Sequence, residues 1–286
     1  MHVDYIDTPA SPPLHFMVFA RVLAYRPWVS SREIPYTALA VMWFLLCTYI
    51  VCIANSYMDV NNPSVNRNDR SFSRLPDALI DWVYPTYKTW NLPENLPDTL
   101  VQISTALMFL RIVLGGRKAA TLMRRAMYVS GVVYLIRAPF IVMTALPNPL
   151  ESCQSTPNPN HFYDALLLMA QLRYSCGDVF YSGHTILFMV CCLIWYDFAL
   201  FNSRADTLVK AIAVLWGLFC HFILITSSYH YTVDVVIAIC IVLFFWKSFC
   251  YLATTSTFDS TNISRLVLFL DQERYTCSAD TPMSHV

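Results

Sequence analysis

"FCHFILITSSYHYTVDVVIAICIVLFFW" occupies residues 219–246. Two apolar runs meet at a short polar break, Ser227-Ser228-Tyr229-His230-Tyr231-Thr232, and Asp234 stands just inside the second run. Each run extends to the roughly 20 residues that an α-helix needs to cross about 30 Å of hydrocarbon. A chain that crosses and returns within a few residues must leave His230 at one membrane face. The stretch reads as a hairpin of two spans.

The rest of the chain agrees with that reading. Its 286 residues are 56% hydrophobic and 13% charged, against about a quarter charged in soluble domains. The mean hydropathy is +0.46. A formal net charge of zero gives nucleic acid nothing to bind. The first thirty-five residues lack a signal-peptide pattern. Of ten cysteines most fall inside apolar runs, where a reduced thiol packs as a small hydrophobe, and none pairs as metal ligands.

Six windows are apolar enough to span: near 36–55, 98–115, 126–145, 183–202, 207–228 and 231–252. The second and third carry Arg111 and Arg137, which raise their insertion cost. The expected fold is an all-α integral membrane protein with six transmembrane helices. Residues 1–35 form an N-terminal segment, 36–252 the membrane domain and 253–286 a tail. The dense "GRKAATLMRR" at 116–125, Arg21, Arg26, Arg32, Arg204, Lys210, Lys247, Arg265 and Arg274 outnumber Arg67, Arg70, Arg74, Lys88 and Arg173 in the alternate segments. The positive-inside rule then puts both termini in the cytosol. Segments 56–97 and 146–182 lie outside, the first with a short interfacial helix at "LPDALIDWVYPTY". Arg124 and Arg125, at the cytosolic end, are expected to anchor to anionic lipid, and Asp197 to reach water.

That topology gathers chemistry. "CGDVFYSGHT" at 176–185 puts His184 at the outer end of the fourth window, 46 residues before His230. The distance fits two spans and a turn, so both imidazoles come to one face. Asp234, four residues past His230, is expected one turn below it as its partner, because an unpaired carboxylate in hydrocarbon is expensive. His–Asp suits phosphoryl transfer: the carboxylate fixes the imidazole and stabilises its cation. His230 would be the nucleophile and His184 the acid, then the base. Ser182 and Gly183 would offer a hydroxyl and an N–H to phosphate oxygens at a helix start. A pair of the form H-x-x-x-D can also be only a satisfied polar pair.

"CGDVFYSGHT" and "HYTVDVVIA" resemble the two C-terminal signatures of the sphingomyelin synthase (sphingolipid synthase) family, whose core is related to lipid phosphate phosphatases. A third signature, Arg-Arg, eight residues, Tyr, two residues, Arg, six residues, Thr, is met by Arg124, Arg125, Tyr134, Arg137 and Thr144. A fourth, Pro-Pro-Leu-Pro-Asp, is met only as Leu75, Pro76 and Asp77. The resemblance spans about residues 35–252. It implies a lipid phosphatase-like catalytic core with His184, His230 and Asp234 as a triad facing the Golgi lumen or the cell exterior. It also implies transfer of a phosphoryl headgroup from a glycerophospholipid to the primary hydroxyl of ceramide, releasing diacylglycerol, with no cofactor or metal. Phosphocholine transfer is favoured because it is the commonest activity of these signatures. Phosphoethanolamine and phosphoinositol transfer remain open, as do a hydrolase in which water replaces ceramide and a non-enzymatic lipid binder. A homo-oligomer is a further open expectation.

The phosphatase branch carries Ser-Arg ahead of its nucleophilic histidine, where this chain has Ile223 and Leu224. Arg137 is the candidate to neutralise the phosphate instead. Tyr134, Arg137 and Thr144 fall within roughly 80° of one helix face, with Arg137 about 10 Å below the outer surface. A structural ion pair with an aspartate is the alternative. Asp178 is read either as a contact for the headgroup or as a loop cap. Cys153 and Cys176, both in an outside loop and so in an oxidising compartment, are expected to form a disulfide.

Overall fold

The computed structural model describes residues 33–62, 74–150, 153, 155–198, 204–255, 266, 267, 269 and 270. The basic residues expected before Glu33, Arg67, Arg70 and the tail's Arg265 and Arg274 lie outside the described residues. Among the described residues all regular structure is helical: α1 Ile34–Asn61, α2 Ala78–Thr89, α3 Leu96–Leu114, α4 Ala119–Met143, α5 His161–Met169, α6 Gly183–Asp197, α7 Arg204–Thr226 and α8 Thr232–Thr255. Pro35 and Pro97 stand second in α1 and α3, in the first turn, where the missing N–H has no intrahelical partner to lose.

Among the described residues five helices are long and apolar enough to cross a membrane: α1, α3, α4, α7 and α8. The fourth expected span is shorter than its window. α6 has 15 residues, about 22 Å at 1.5 Å per residue, and ends where Phe198 turns extended. The window's last residues fall outside the described region.

α4 is the central post. Of its apolar window 61% lies inside the protein, against 28% for α1, α7 and α8. It packs on α1, α6 and α8, while α6 also meets α3, α7 and α8. Two glycines set these approaches. A Cβ on Gly131 would collide with the Trp43 indole of α1, and one on Gly217 with the Cys192 sulfur of α6. α2 is a short helix where one was expected, and it holds Trp82 77% exposed. α5, within the 146–182 segment expected outside the membrane, docks on α1 through Ser56 Oγ to His161 Nδ1 at 3.1 Å.

The end of α4 away from the histidines corrects two expectations. Arg124 and Arg125 are fully buried rather than reaching lipid headgroups. Arg124 bonds Thr121 and Thr37, and Arg125 lies 5.4 Å from the Phe198 ring centre. Asp197 does not reach water. It accepts from Trp246 Nε1 at 2.6 Å and Lys247 Nζ at 2.9 Å. Helix packing decides both: Arg124 points toward α1 at Thr37, Arg125 toward Phe198 at the end of α6, and Asp197 toward α8.

Candidate active site

Ser182 ends the loop before α6, and its hydroxyl accepts from Thr185 N at 3.2 Å, an ordinary N-cap. His184 is therefore in the first turn of α6. His230 lies in the turn between α7 and α8, and the two imidazole centres are 5.5 Å apart. Tyr181 and Ser228, just ahead of the two histidines, hold φ of 23° and 56°. Non-glycine residues reach that region at a cost of about 1–3 kcal/mol, so the surrounding packing imposes both turns.

The expected His230–Asp234 hydrogen bond is not made. The expectation placed both residues on one helix, but α8 begins only at Thr232, so His230 is off the helical repeat. His230 is 3% exposed and Asp234 fully buried. His230 Nδ1 and both Asp234 carboxylate oxygens are without hydrogen-bond partners among the described residues. Burial lowers the His230 pKa well below the usual imidazole value, and the charges of His184 and Arg137 push the same way.

The histidine that does have a carboxylate is the other one. His184 Nε2 lies 2.8 Å from Asp98 Oδ1, and Tyr229 donates its hydroxyl to Asp98 Oδ2 at 2.6 Å. Burial, then Asp98's charge, raise the Tyr229 pKa, which keeps the phenol protonated as a donor. Asp98 was missed in the sequence. It sits in the first turn of α3 behind Pro97, where an acid reads as a helix-start residue. The weak signal available was an acid at the outer edge of a span.

Arg137, 2% exposed, donates Nε to the Tyr181 carbonyl at 2.6 Å and pairs with Asp178. Its guanidinium flanks Gly183, whose imagined Cβ would meet Arg137 NH1 at 3.2 Å. Tyr134 OH reaches the Gly183 carbonyl at 3.5 Å. Thr144, by contrast, only terminates α4. A cavity of about 270 Å³ is lined by Asp98, Arg137, Asp178, His184, Tyr229 and His230 among others.

The loop that delivers Asp178 is fastened twice. Cys153 and Cys176 form a disulfide with Cα atoms 5.9 Å apart. Asp59 Oδ1 accepts from Ser175 Oγ and the N–H groups of Cys176 and Gly177 at 2.9, 2.9 and 2.7 Å. Arg173 bridges Asp59 and Asp164, a clamp that sequence spacing did not reveal.

Fold and site together define, among the described residues, a helical bundle with five candidate membrane spans and a paired-histidine cavity at one end. Residues 175–252 match the family described as PAP2 superfamily C-terminal. The chain is similar to a phosphatidylethanolamine:ceramide ethanolaminephosphotransferase of Trypanosoma brucei brucei, 31% identical over 109 residues, covering 37% of this chain and 33% of the relative. It is similar to phosphatidylcholine:ceramide cholinephosphotransferase 2 of Rattus norvegicus, 27% identical over 177 residues, 57% of this chain and 46% of the relative. It is also similar to a phosphatidylinositol:ceramide inositolphosphotransferase of Trypanosoma cruzi, 28% identical over 111 residues, 37% of this chain and 32% of the relative. The chain thus spans between about a third and a half of the length of these relatives. The matches are thus to the PAP2 superfamily C-terminal family over residues 175–252 and to relatives named as ceramide phosphotransferases with three different headgroups.

Proposed function

We propose that the chain is a phosphotransferase that moves phosphocholine from phosphatidylcholine to the primary hydroxyl of ceramide, giving sphingomyelin and diacylglycerol. The observation that carries this reading is the pair of imidazoles 5.5 Å apart beside a buried guanidinium in one cavity. The three relatives carry choline, ethanolamine and inositol phosphates in their names, so the headgroup is the finest part of the proposal.

In this reading His230 attacks phosphorus as the neutral imidazole. The P–O bond to glycerol breaks, and His184 gives its proton to the departing oxygen, releasing diacylglycerol. Ceramide then enters, His184 takes the hydroxyl proton, the oxygen attacks phosphorus, and the N–P bond breaks to restore His230. Asp98 occupies His184 Nε2 and so leaves Nδ1 to exchange the proton. Asp234 is the partner for His230 Nδ1 in the reacting state, a role supported by each group being buried and without a hydrogen-bond partner among the described residues. Arg137 supplies charge toward the phosphate, with Asp178 as its counter-ion in the absence of lipid. Tyr134, Ser182 and Gly183 complete the donor-lined wall.

The reading includes six membrane crossings within residues 36–252, α6 together with the residues after it forming the fourth. It also includes cytosolic segments at 1–35 and 253–286, an active site on the luminal or exterior face of the Golgi or plasma membrane, and membrane lipids as partners.

The test uses purified protein, fluorescent ceramide and phosphatidylcholine, phosphatidylethanolamine or phosphatidylinositol offered separately, with His230→Ala alongside. Sphingomyelin from the choline donor alone, absent in the variant, is the expected result. Another phosphosphingolipid would move the headgroup assignment. Diacylglycerol without labelled sphingolipid would make water the acceptor and end the transferase reading.

A further inference from the structure

The Leu75-Pro76-Asp77 signature has no part in the reaction just described, and Asp77 does not line the cavity. Its contacts give it another task. Asp77 is the N-cap of α2, with Oδ1 accepting from Leu79 N at 3.1 Å and Ile80 N at 3.2 Å. The same carboxylate reaches 155 residues along the chain. Oδ2 accepts from Thr232 N at 2.7 Å and Oδ1 from Thr232 Oγ1 at 2.9 Å.

Thr232 is the first residue of α8. The residue before it, Tyr231, has a side chain that cannot cap its own helix, and its hydroxyl is engaged elsewhere. It donates to the Pro147 carbonyl at 3.0 Å and accepts from Leu75 N at 3.0 Å. Ile80, Val179 and Tyr231 pack as a small buried apolar cluster beneath. The long-range hydrogen bonds of Leu75 and Asp77 fall on residues 231–232, directly after His230.

We propose that Asp77 is a positioning residue for His230: one carboxylate caps α2 and, from outside its own helix, caps α8, so the outer helix sets the orientation of the candidate nucleophile. The proposal rests on the transferase reading for the role of His230, but not for the cap itself. The electrostatics agree. Burial pushes the Asp77 carboxyl upward, yet the hydrogen bonds from Thr232, Ile80 and Leu79 outweigh it and hold the group below the usual carboxylate range. It is therefore an acceptor throughout the neutral range.

The full chain in detergent, as wild type, Asp77→Ala, Asp77→Asn and Thr232→Val, tests this by two readouts. Hydrogen exchange of residues 230–236 should accelerate about tenfold in Asp77→Ala, the size expected for a lost cap, with α1, α4 and α6 unchanged. The kcat for the productive donor should fall by about 10- to 100-fold with KM within about twofold, because a misplaced nucleophile loses rate rather than binding. Asp77→Asn keeps one acceptor oxygen and should recover part of both. Thr232→Val loses only the hydroxyl bond and should show the smallest change. Unchanged exchange at 230–236 in Asp77→Ala, or acceleration spread evenly over the bundle in both Asp77 variants, overturns the proposal. A wild type that makes no phosphosphingolipid from any donor, while Asp77→Ala still loosens 230–236, would remove the transferase reading and leave the cap standing.

Discussion

The two histidine-bearing turns solve one problem in different ways. The His184 turn is built locally: Ser182, two residues earlier, caps α6, and the cap and the histidine belong to a single decapeptide. The His230 turn borrows its cap from Asp77, 155 residues away. Their partners are reversed as well. His184 is partly open to the cavity and held at Nε2 by Asp98, a residue 86 positions away. His230 is buried, with Nδ1 unmatched and the carboxylate of Asp234 equally unmatched nearby in sequence. A histidine held by a carboxylate suits proton exchange, and one kept neutral by burial suits attack. In the proposed reaction this asymmetry would make His184 the acid–base group and His230 the nucleophile.

The sharpest way to break this comparison is to remove each ring in turn. His230→Ala should abolish phosphosphingolipid formation, by at least about 10³-fold in initial rate. Activity surviving in that variant would sink its role as nucleophile. Asp98→Asn should come next, lowering kcat by about 100-fold, since it removes the charge behind the proposed acid–base group. Asp98→Glu should restore part of the loss. Equal rates in Asp98→Asn and wild type would leave the Asp98 contact purely structural.

A pH series sharpens the comparison further. The folded-state pKa of His230 is below the ordinary value of about 6.5, because burial, then the charges of His184 and Arg137, oppose its protonation. The unfolded chain binds that proton more readily, so this group weakens stability as pH falls below about 6.5 and has no effect well above it. Thermal unfolding of wild type should drop over that acid range, and His230→Gln should flatten the drop. A slope that is the same in both proteins would count against a buried neutral imidazole.

The smallest expected effect is local. Ser182→Ala removes the cap of α6 and should destabilise by about 1 kcal/mol, readable as a modest fall in Tm. Transfer should fall less than in Asp77→Ala, because Gly183 and His184 remain packed beside Arg137. A larger loss from Ser182→Ala than from Asp77→Ala would reverse the contrast between the local and the borrowed cap.

Much of this architecture was legible along the chain because hydrocarbon demands long apolar runs. Five of the windows correspond to helices long enough to cross, and the return distance between His184 and His230 brought the two rings together. The Ser-Gly-His helix start and the cysteine pair were legible for a related reason: each depends on local order or on compartment. Four features were not. Asp98 looked like an ordinary helix-start acid, Asp77 like a fragment of a partial signature, Arg124 and Arg125 like lipid anchors, and His230–Asp234 like a pair on one helix. Each turns on which way a helix faces or where it begins.

By itself, then, the sequence determined that the chain crosses a membrane several times and carries two histidines to one face, because burial of apolar length and chain reversal follow from composition and spacing. Tertiary structure alone decided that Asp98 holds His184 while His230 and Asp234 make no hydrogen bond to each other. Hydrogen bonds between distant segments depend on helix rotation and on the residue where α8 begins, and neither is encoded in residue spacing.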